Sequence, residues 1–204
     1  MTDEDVAAFA RCMAVGGVAL FPADTVYGLA TSPDSEEGVR RLYTLKGRPP
    51  DQPAAVMFFD AESALGALEE LGPRTREAVH RLLPGALTLV LPNPARRFPL
   101  ACGHEPERLG LRVPDLEGPL APLAAARRPV LQSSANRSGG SDARRMADVD
   151  ELIRREVDVA LDGGDLPGTP STVIDLSQYE MDACYRVLRE GAVSVAAVEA
   201  RLLA

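Results

Sequence analysis

Three polar segments of this chain combine residue types that handle phosphate with spacings that break a regular element. Lys46-Gly47-Arg48 sets two cations two residues apart across a glycine, so that outside helical geometry both side chains can be turned toward one anion, a triphosphate being the obvious one. The same tripeptide also reads as the basic C-terminal cap of a helix, favourable to the helix dipole and halted by Pro49-Pro50, and on local pattern alone capping comes first. Ser133-Ser134-Ala135-Asn136 offers hydroxyls, an amide and backbone N–H groups to phosphate or ribose oxygens; as a polar turn closed by Gly139-Gly140 it needs no ligand at all. In Pro22-Ala23-Asp24-Thr25-Val26-Tyr27-Gly28, Asp24 and Thr25 can cap the segment after them, or Thr25 can touch a substrate.

Composition narrows the chemistry. Of the 22 lysines and arginines only one, Lys46, is lysine, so it marks either chance or a place where a compact ammonium serves and a guanidinium fork does not. A net charge of −8 leaves no global basic field for nucleic acid or anionic lipid, and any polyanion site must be local. The start, MTDEDVAAFA, is acidic where a signal peptide needs a basic segment and an apolar run, and no stretch suits a membrane span; a soluble cytoplasmic protein without a membrane partner is expected. Cys12, Cys102 and Cys184 lack any C-x-x-C spacing and read as reduced thiols. His80 and His104 have no ligand partners at metal spacing, so no protein metal site is expected; Walker A, G-x-G-x-x-G and G-x-S-x-G are absent too. Catalysis here would lean on positioning and charge stabilisation.

The elements that must hold these segments alternate. The pattern predicts helices over 4–15, 35–46, 61–71, 74–83, 120–126, 147–156 and 195–203, and strands over 18–21, 54–59, 87–91, 109–113, 130–132, 159–161, 171–176 and 185–188. Residues 23–31 are expected as an exit loop, 92–107 as an exposed loop rich in proline and arginine, and 162–170 as turns. With no repeat and no long linker, residues 1–204 read as one α/β domain with an open sheet. The crevice is expected where the loops 23–31, 46–52, 133–141 and 162–171 converge.

Taken in order, these segments resemble the YrdC/Sua5 family of threonylcarbamoyl-AMP synthases, nearly end to end. The family's P-T-[DE]-T-[VA]-[YF]-G-[LV] is similar to Pro22–Leu29, its K-x-R to Lys46 and Arg48, its W-P-G-P-L-T to Leu83–Thr88, and its [AV]-[VL]-R-[VMI]-P to Gly110–Pro114. Its S-A-N-x-S-G is similar to Ser134–Gly139, its D-G-G to Asp162–Gly164, its S-T-[IV]-[IV] to Ser171–Ile174 and its L-R-x-G to Leu188–Gly191. The resemblance implies a single-domain α/β fold with a twisted open mixed sheet flanked by helices, like the dihydroxybutanone phosphate synthase fold, without the extra C-terminal domain of longer Sua5 members. It implies formation of L-threonylcarbamoyladenylate from L-threonine, bicarbonate or CO2 and ATP, with Mg²⁺ and release of pyrophosphate, feeding the t6A modification of tRNA. By the same resemblance Lys46 and Arg48 act on the ATP phosphates, Ser134, Asn136 and Arg189 bind the nucleotide, and Thr25, Arg112 and Ser171 bind threonine. tRNA or t6A-modification proteins would be its partners.

The chain departs from the family at Ala23, Met57, Leu83, Gln132 and Glu190. Ala23, Met57 and Gln132 are expected toward the amino-acid pocket, which keeps in view a paralogue with the ATP site and another amine as acceptor. The basic residues Arg40, Arg41, Lys46 and Arg48 motivate a third reading, a non-enzymatic RNA-binding factor, against which the net charge counts.

Overall fold

The computed structural model describes residues 1–203. Helix α1 (Asp3–Ala14) opens on a capping box, Thr2 Oγ1 accepting from Asp5 N at 3.2 Å and the Asp5 carboxylate accepting from Thr2 N at 2.8 Å. Strand β1 (Ala19–Pro22) turns into its antiparallel neighbour β2 (Tyr27–Thr31), so residues 23–31 are half strand and not the exit loop expected. The run Tyr27–Thr31 is buried along its whole length between β1 and the strand Val130–Ser134. Helix α2 (Glu36–Lys46) starts at Ser35, whose hydroxyl accepts from Gly38 N at 3.0 Å. It ends with Gly47 in the left-handed region at φ 59°, which a side chain would strain. Gly47 N donates to Thr44 O and Arg48 N to Tyr43 O, the paired bonds of a Schellman cap.

Then come β3 (Ala55–Met57), α3 (Ala61–Ala67), α4 (Pro73–Leu82), β4 (Leu87–Pro92), α5 (Pro99–Cys102), β5 (Arg108–Arg112), a 3-10 helix (Gly118–Ala126) and β6 (Val130–Ser134). Beyond a 3-10 turn (Met146–Asp148) lie α6 (Glu151–Glu156), β7 (Val159–Ala160), β8 (Thr172–Asp175), α7 (Tyr179–Asp182), β9 (Arg186–Arg189) and α8 (Val195–Leu203). The segment 92–107 is not the exposed loop expected. Asn93 is fully buried and its amide donates to Arg97 O and Pro106 O, both at 3.0 Å, folding the segment around α5, whose Ala101 and Cys102 join the core. The helix expected over 147–156 is split, because Asp150 leaves helical geometry to cap α6 through Leu152 N at 2.8 Å.

Among the described residues nine strands form one mixed sheet in the order β7-β1-β2-β6-β3-β5-β4-β8-β9. Pairs β1/β7, β3/β5 and β4/β8 are parallel and the rest antiparallel. No helix among those residues is long and apolar enough to cross a membrane. Alternation sorts the side chains. Leu20, Leu29, Val56, Leu87, Leu89, Leu91, Leu111, Leu131 and Ile174 join one large apolar cluster. On the opposite face Ala19, Phe21, Ala30, Met57 and Val130 pack with Phe9 and Met13 of α1 and Leu123 of the 3-10 helix. That second cover reaches only part of the sheet, and the rest of the face is the wall of a cavity.

Leu89, fully buried at the middle of β4, holds the covered face. Leu89→Ala should cost about 2–5 kcal/mol in urea unfolding; a loss below about 1 kcal/mol would mean the core closes over the gap.

Candidate functional site

The uncovered half of the sheet forms a cavity of about 360 Å³, within the size range of small-molecule sites. Its floor is built from strand positions whose neighbours point into the apolar cluster: Gly28 of β2, Gln132 of β6, Ala55 of β3, Gly110 of β5, Thr88 and Val90 of β4 and Val173 of β8. In β4 the alternation is plain, with Leu87, Leu89 and Leu91 buried and Thr88 and Val90 half-exposed to the cavity. Register sets Gln132 beside Ala55 and Ala55 beside Gly110, so the amide of Gln132 rises from a row of small residues.

Four arginines line this cavity, and they differ in what neutralises them. Arg112 is buried, its Nη2 donating to Asp24 Oδ1 and to Thr25 Oγ1 (2.6 Å), while the other Asp24 oxygen accepts from Asp115 N at 3.1 Å. Arg108 bonds Glu105 at 2.7 Å and Asp175 at 2.9 Å. Burial alone would raise the Asp175 carboxyl; hydrogen bonds from Ser177 and Arg186, with Arg108 near, hold it down at about 2. Arg48 and Arg189 have no carboxylate partner among the described residues. Arg48 donates to Pro53 O and Ser133 Oγ (3.3 Å) and lies over the Tyr43 ring at 5.6 Å, and Arg189 donates to Ser171 O at 2.8 Å. These two are the cavity arginines whose contacts are neutral, and Asp142 lines the same cavity.

The loops around it are tied together. Tyr27 is fully buried, its hydroxyl donating to Asp162 Oδ1 at 2.8 Å and accepting from Gly163 N at 3.0 Å, which fastens the 162–164 turn to the start of β2. Burial, then the Asp162 carboxylate, pushes its pKa up to about 12, so it stays a neutral donor. Thr25 O accepts from Gly168 N at 2.9 Å. A Cβ on Gly191 would stand 2.2 Å from Pro170 O; only glycine allows this approach, which sets Arg189 of β9 beside Ser171.

Of the eight residues expected to act, Arg48, Arg112, Ser134, Ser171 and Arg189 line the cavity. The other three stand behind its wall. Thr25 backs Arg112. Lys46 and Asn136 back Ser134: Lys46 Nζ donates to Ser134 O, to Asn136 O at 2.7 Å and to Asn136 Oδ1 at 3.1 Å. Lys46 and Arg48 therefore do not aim at one point, because the Schellman cap turns them apart. Burial, with the Arg48 guanidinium second, pulls the Lys46 pKa down to about 8, opposed by Asp142. Arg40, Arg41, Lys46 and Arg48 form no common patch either: Arg40 pairs with Glu37, Arg41 with Asp158 at 2.9 Å, and Lys46 is buried.

A family model for Sua5, YciO and YrdC proteins, described as telomere recombination, matches residues 11–191. The chain belongs to this family. A threonylcarbamoyl-AMP synthase of Pyrococcus abyssi is 32% identical over 165 residues, 80% of this chain and 48% of that protein. One of Bacillus subtilis is 30% identical over 203 residues, 97% of this chain and 56% of that protein. The chain thus spans about half the length of these relatives. The crystal structure of P. abyssi Sua5 complexed with L-threonine matches with a TM-score of 0.85 at 27% identity, over 98% of this chain and 58% of that one. E. coli YciO shares the fold, with a TM-score of 0.78 at 23% identity over 97% of this chain and 94% of that one. The Sua5/YciO/YrdC architecture, a single-domain mixed open sheet flanked by helices, is the one described above.

Within that family pattern the departures separate. Ala23 and Gln132 line the cavity. Met57 does not: it is fully buried in the cluster with Phe9 and Phe59. Leu83 is core, and Glu190 accepts from Val195 N at 3.1 Å, capping α8. Asp24, read from the sequence as a cap for the segment after it, instead accepts from Arg112 and from Asp115 N. Arg108 and Asp142, both lining the cavity, had no signal in the sequence.

The Asp24–Arg112 pair, at 7% and 5% side-chain exposure, is buried enough that removing one partner strands the other. Asp24→Ala should destabilise the protein by about 3–5 kcal/mol in denaturant unfolding, and adding Arg112→Met should recover most of the loss. No recovery in the double variant would show that the pair does not act as a unit.

Proposed function

We propose that the chain is an L-threonylcarbamoyladenylate synthase, a nucleotidyltransferase of the cytoplasm serving t6A modification of tRNA. The observation that carries the reading is the division of the four cavity arginines: two neutralised by carboxylates, and two, Arg48 and Arg189, left to meet an anion on the same floor. Relatives named threonylcarbamoyl-AMP synthase and a Sua5 structure holding L-threonine support the choice of substrates.

In this scheme threonine's amine captures CO2 from bicarbonate, losing a proton. An oxygen of the resulting N-carboxylate attacks the α-phosphorus of ATP, the bond from that phosphorus to the β-bridging oxygen breaks, and pyrophosphate leaves. Arg48 and Arg189 offset the charge that spreads over the phosphates, and the Ser134 hydroxyl, turning its one proton from Asn136 Oδ1, donates to one of their oxygens, with Lys46 and Asn136 behind it. Arg112 keeps donors beyond those given to Asp24 and Thr25, and with Ser171 it takes the threonine carboxylate and polar groups. Mg²⁺ would enter with the ATP substrate, held mainly by phosphate oxygens and water.

Purified protein should release pyrophosphate from ATP only when threonine and bicarbonate are both present. Arg48→Ala and Arg189→Ala should each raise KM for ATP by about 10–100-fold, and Arg112→Ala should do the same for threonine, as loss of charge-assisted hydrogen bonds requires. Turnover that needs a different amine in place of threonine would replace this reading with that of a paralogue.

A further inference from the structure

Lys46 has an ammonium with three N–H bonds, and all three have protein acceptors: Ser134 O, Asn136 O and Asn136 Oδ1. Its own carbonyl accepts from Ser138 N at 2.7 Å, so backbone and side chain of one residue hold both limbs of the turn after β6. The turn adds its own bond, Ser134 Oγ donating to Asn136 Oδ1 at 2.6 Å, and the Asn136 amide donates onward to Gly140 O. Lys46 is 3% exposed and does not line the cavity that Ser134 lines.

Three acceptors converging on one nitrogen suit a tetrahedral ammonium. A guanidinium spreads its five donors in a planar fork and cannot bring three of them to one point. That gives a physical reason for one lysine in a chain that otherwise uses arginine. A phosphate oxygen reaching this nitrogen would have to displace one of the three acceptors, all of which belong to the turn on which the phosphate would rest.

We infer that Lys46 is a positioning residue and not a phosphate ligand: its ammonium clasps the Ser134–Asn136 turn to the end of α2 and thereby fixes the Ser134 hydroxyl in the wall of the nucleotide cavity. That the cavity takes ATP rests on the function proposed above; the clasp does not. In the ligand-free chain burial, with Arg48 second, lowers the Lys46 pKa to about 8, and a phosphate placed against the ammonium would push it up.

As the sole lysine, Lys46 gives a ¹⁵N-lysine-labelled chain a single side-chain nitrogen signal. Its titration midpoint should move by less than about 0.5 pH unit on saturation with Mg·ATP, where a phosphate placed directly against it would raise the midpoint by about 1–3 units. In ligand-free protein, Lys46→Met and Lys46→Arg should each speed hydrogen exchange of the backbone amides over 134–140 by about tenfold or more. In turnover Lys46→Arg should raise KM for ATP while leaving KM for threonine within about twofold, a split that a general loosening of the fold would not produce. A midpoint rise of a full unit or more with Mg·ATP, unchanged exchange over 134–140 in both variants, or equal rises in the two KM values overturns the proposal. If the variants do not fold, the wild-type titration decides. Should Mg·ATP fail to bind the wild type at all, the adenylating function falls and the exchange measurement alone judges the clasp.

Discussion

The whole arrangement depends on a shortage of cover. Among the described residues nine strands present two broad faces, and the helices bury one of them together with only part of the other. Where α1 and the Gly118–Ala126 helix stop, strand residues facing that side meet solvent or a ligand, and large apolar side chains there would be a liability. The sheet meets this with Gly28, Ala55, Gly110 and Thr88, and with arginines whose guanidinium groups find polar partners. The cavity is thus the part of a packing problem that was left open. Its location, on the floor of the sheet and not only beyond strand ends, is the direct result.

A floor lined by four guanidinium groups would repel itself unless some were neutralised. Asp24 holds Arg112, and Glu105 with Asp175 holds Arg108, in each case with additional hydrogen bonds that make a partly desolvated ion pair tolerable. Arg48 and Arg189 instead rest on neutral oxygens, from Pro53 and Ser133 in one case and Ser171 in the other. Two guanidinium groups without a carboxylate contact thus share the cavity wall with Asp142, in a chain of net charge −8. This arrangement also accounts for the backbone close approach at Gly191, since Arg189 reaches the cavity only because β9 can lie against Pro170 and Ser171.

Much of this was legible in the residue pattern, and the failures have physical causes. Helix α8 matches its expected span, and α2 ends at Lys46 as expected, because caps and a 3.6-residue period are local properties. Strand β2 was hidden because Tyr27–Thr31 is short, is buried on both faces and begins two residues after Asp24-Thr25, which reads as a turn. The fold of 93–107 rests on Asn93, a single buried amide bonding carbonyls four and thirteen residues away, a pairing without any sequence period. In the site, residue types were sufficient to single out Arg48 and Ser134, and the family pattern added Arg112, Ser171 and Arg189. What no spacing could supply was which arginine each carboxylate would neutralise, since Arg112–Asp24 joins residues 88 apart and Arg108–Asp175 residues 67 apart.

In Lys46-Gly47-Arg48 the capping reading holds, and it is what separates the two cations expected to share one anion. As capping predicts, Gly47 adopts the left-handed conformation and the carbonyls of Tyr43 and Thr44 are satisfied by the amides of Arg48 and Gly47. That reversal of the chain is what sends the two side chains different ways, Arg48 into the cavity and Lys46 into the turn behind Ser134. Had the helix run on, residues 46 and 48 would have pointed about 200° apart on one cylinder with no turn of backbone to aim either. The cap is thus the device that delivers one cation to the cavity and the other to the loop behind its wall, and a break at Gly47 would disturb both together.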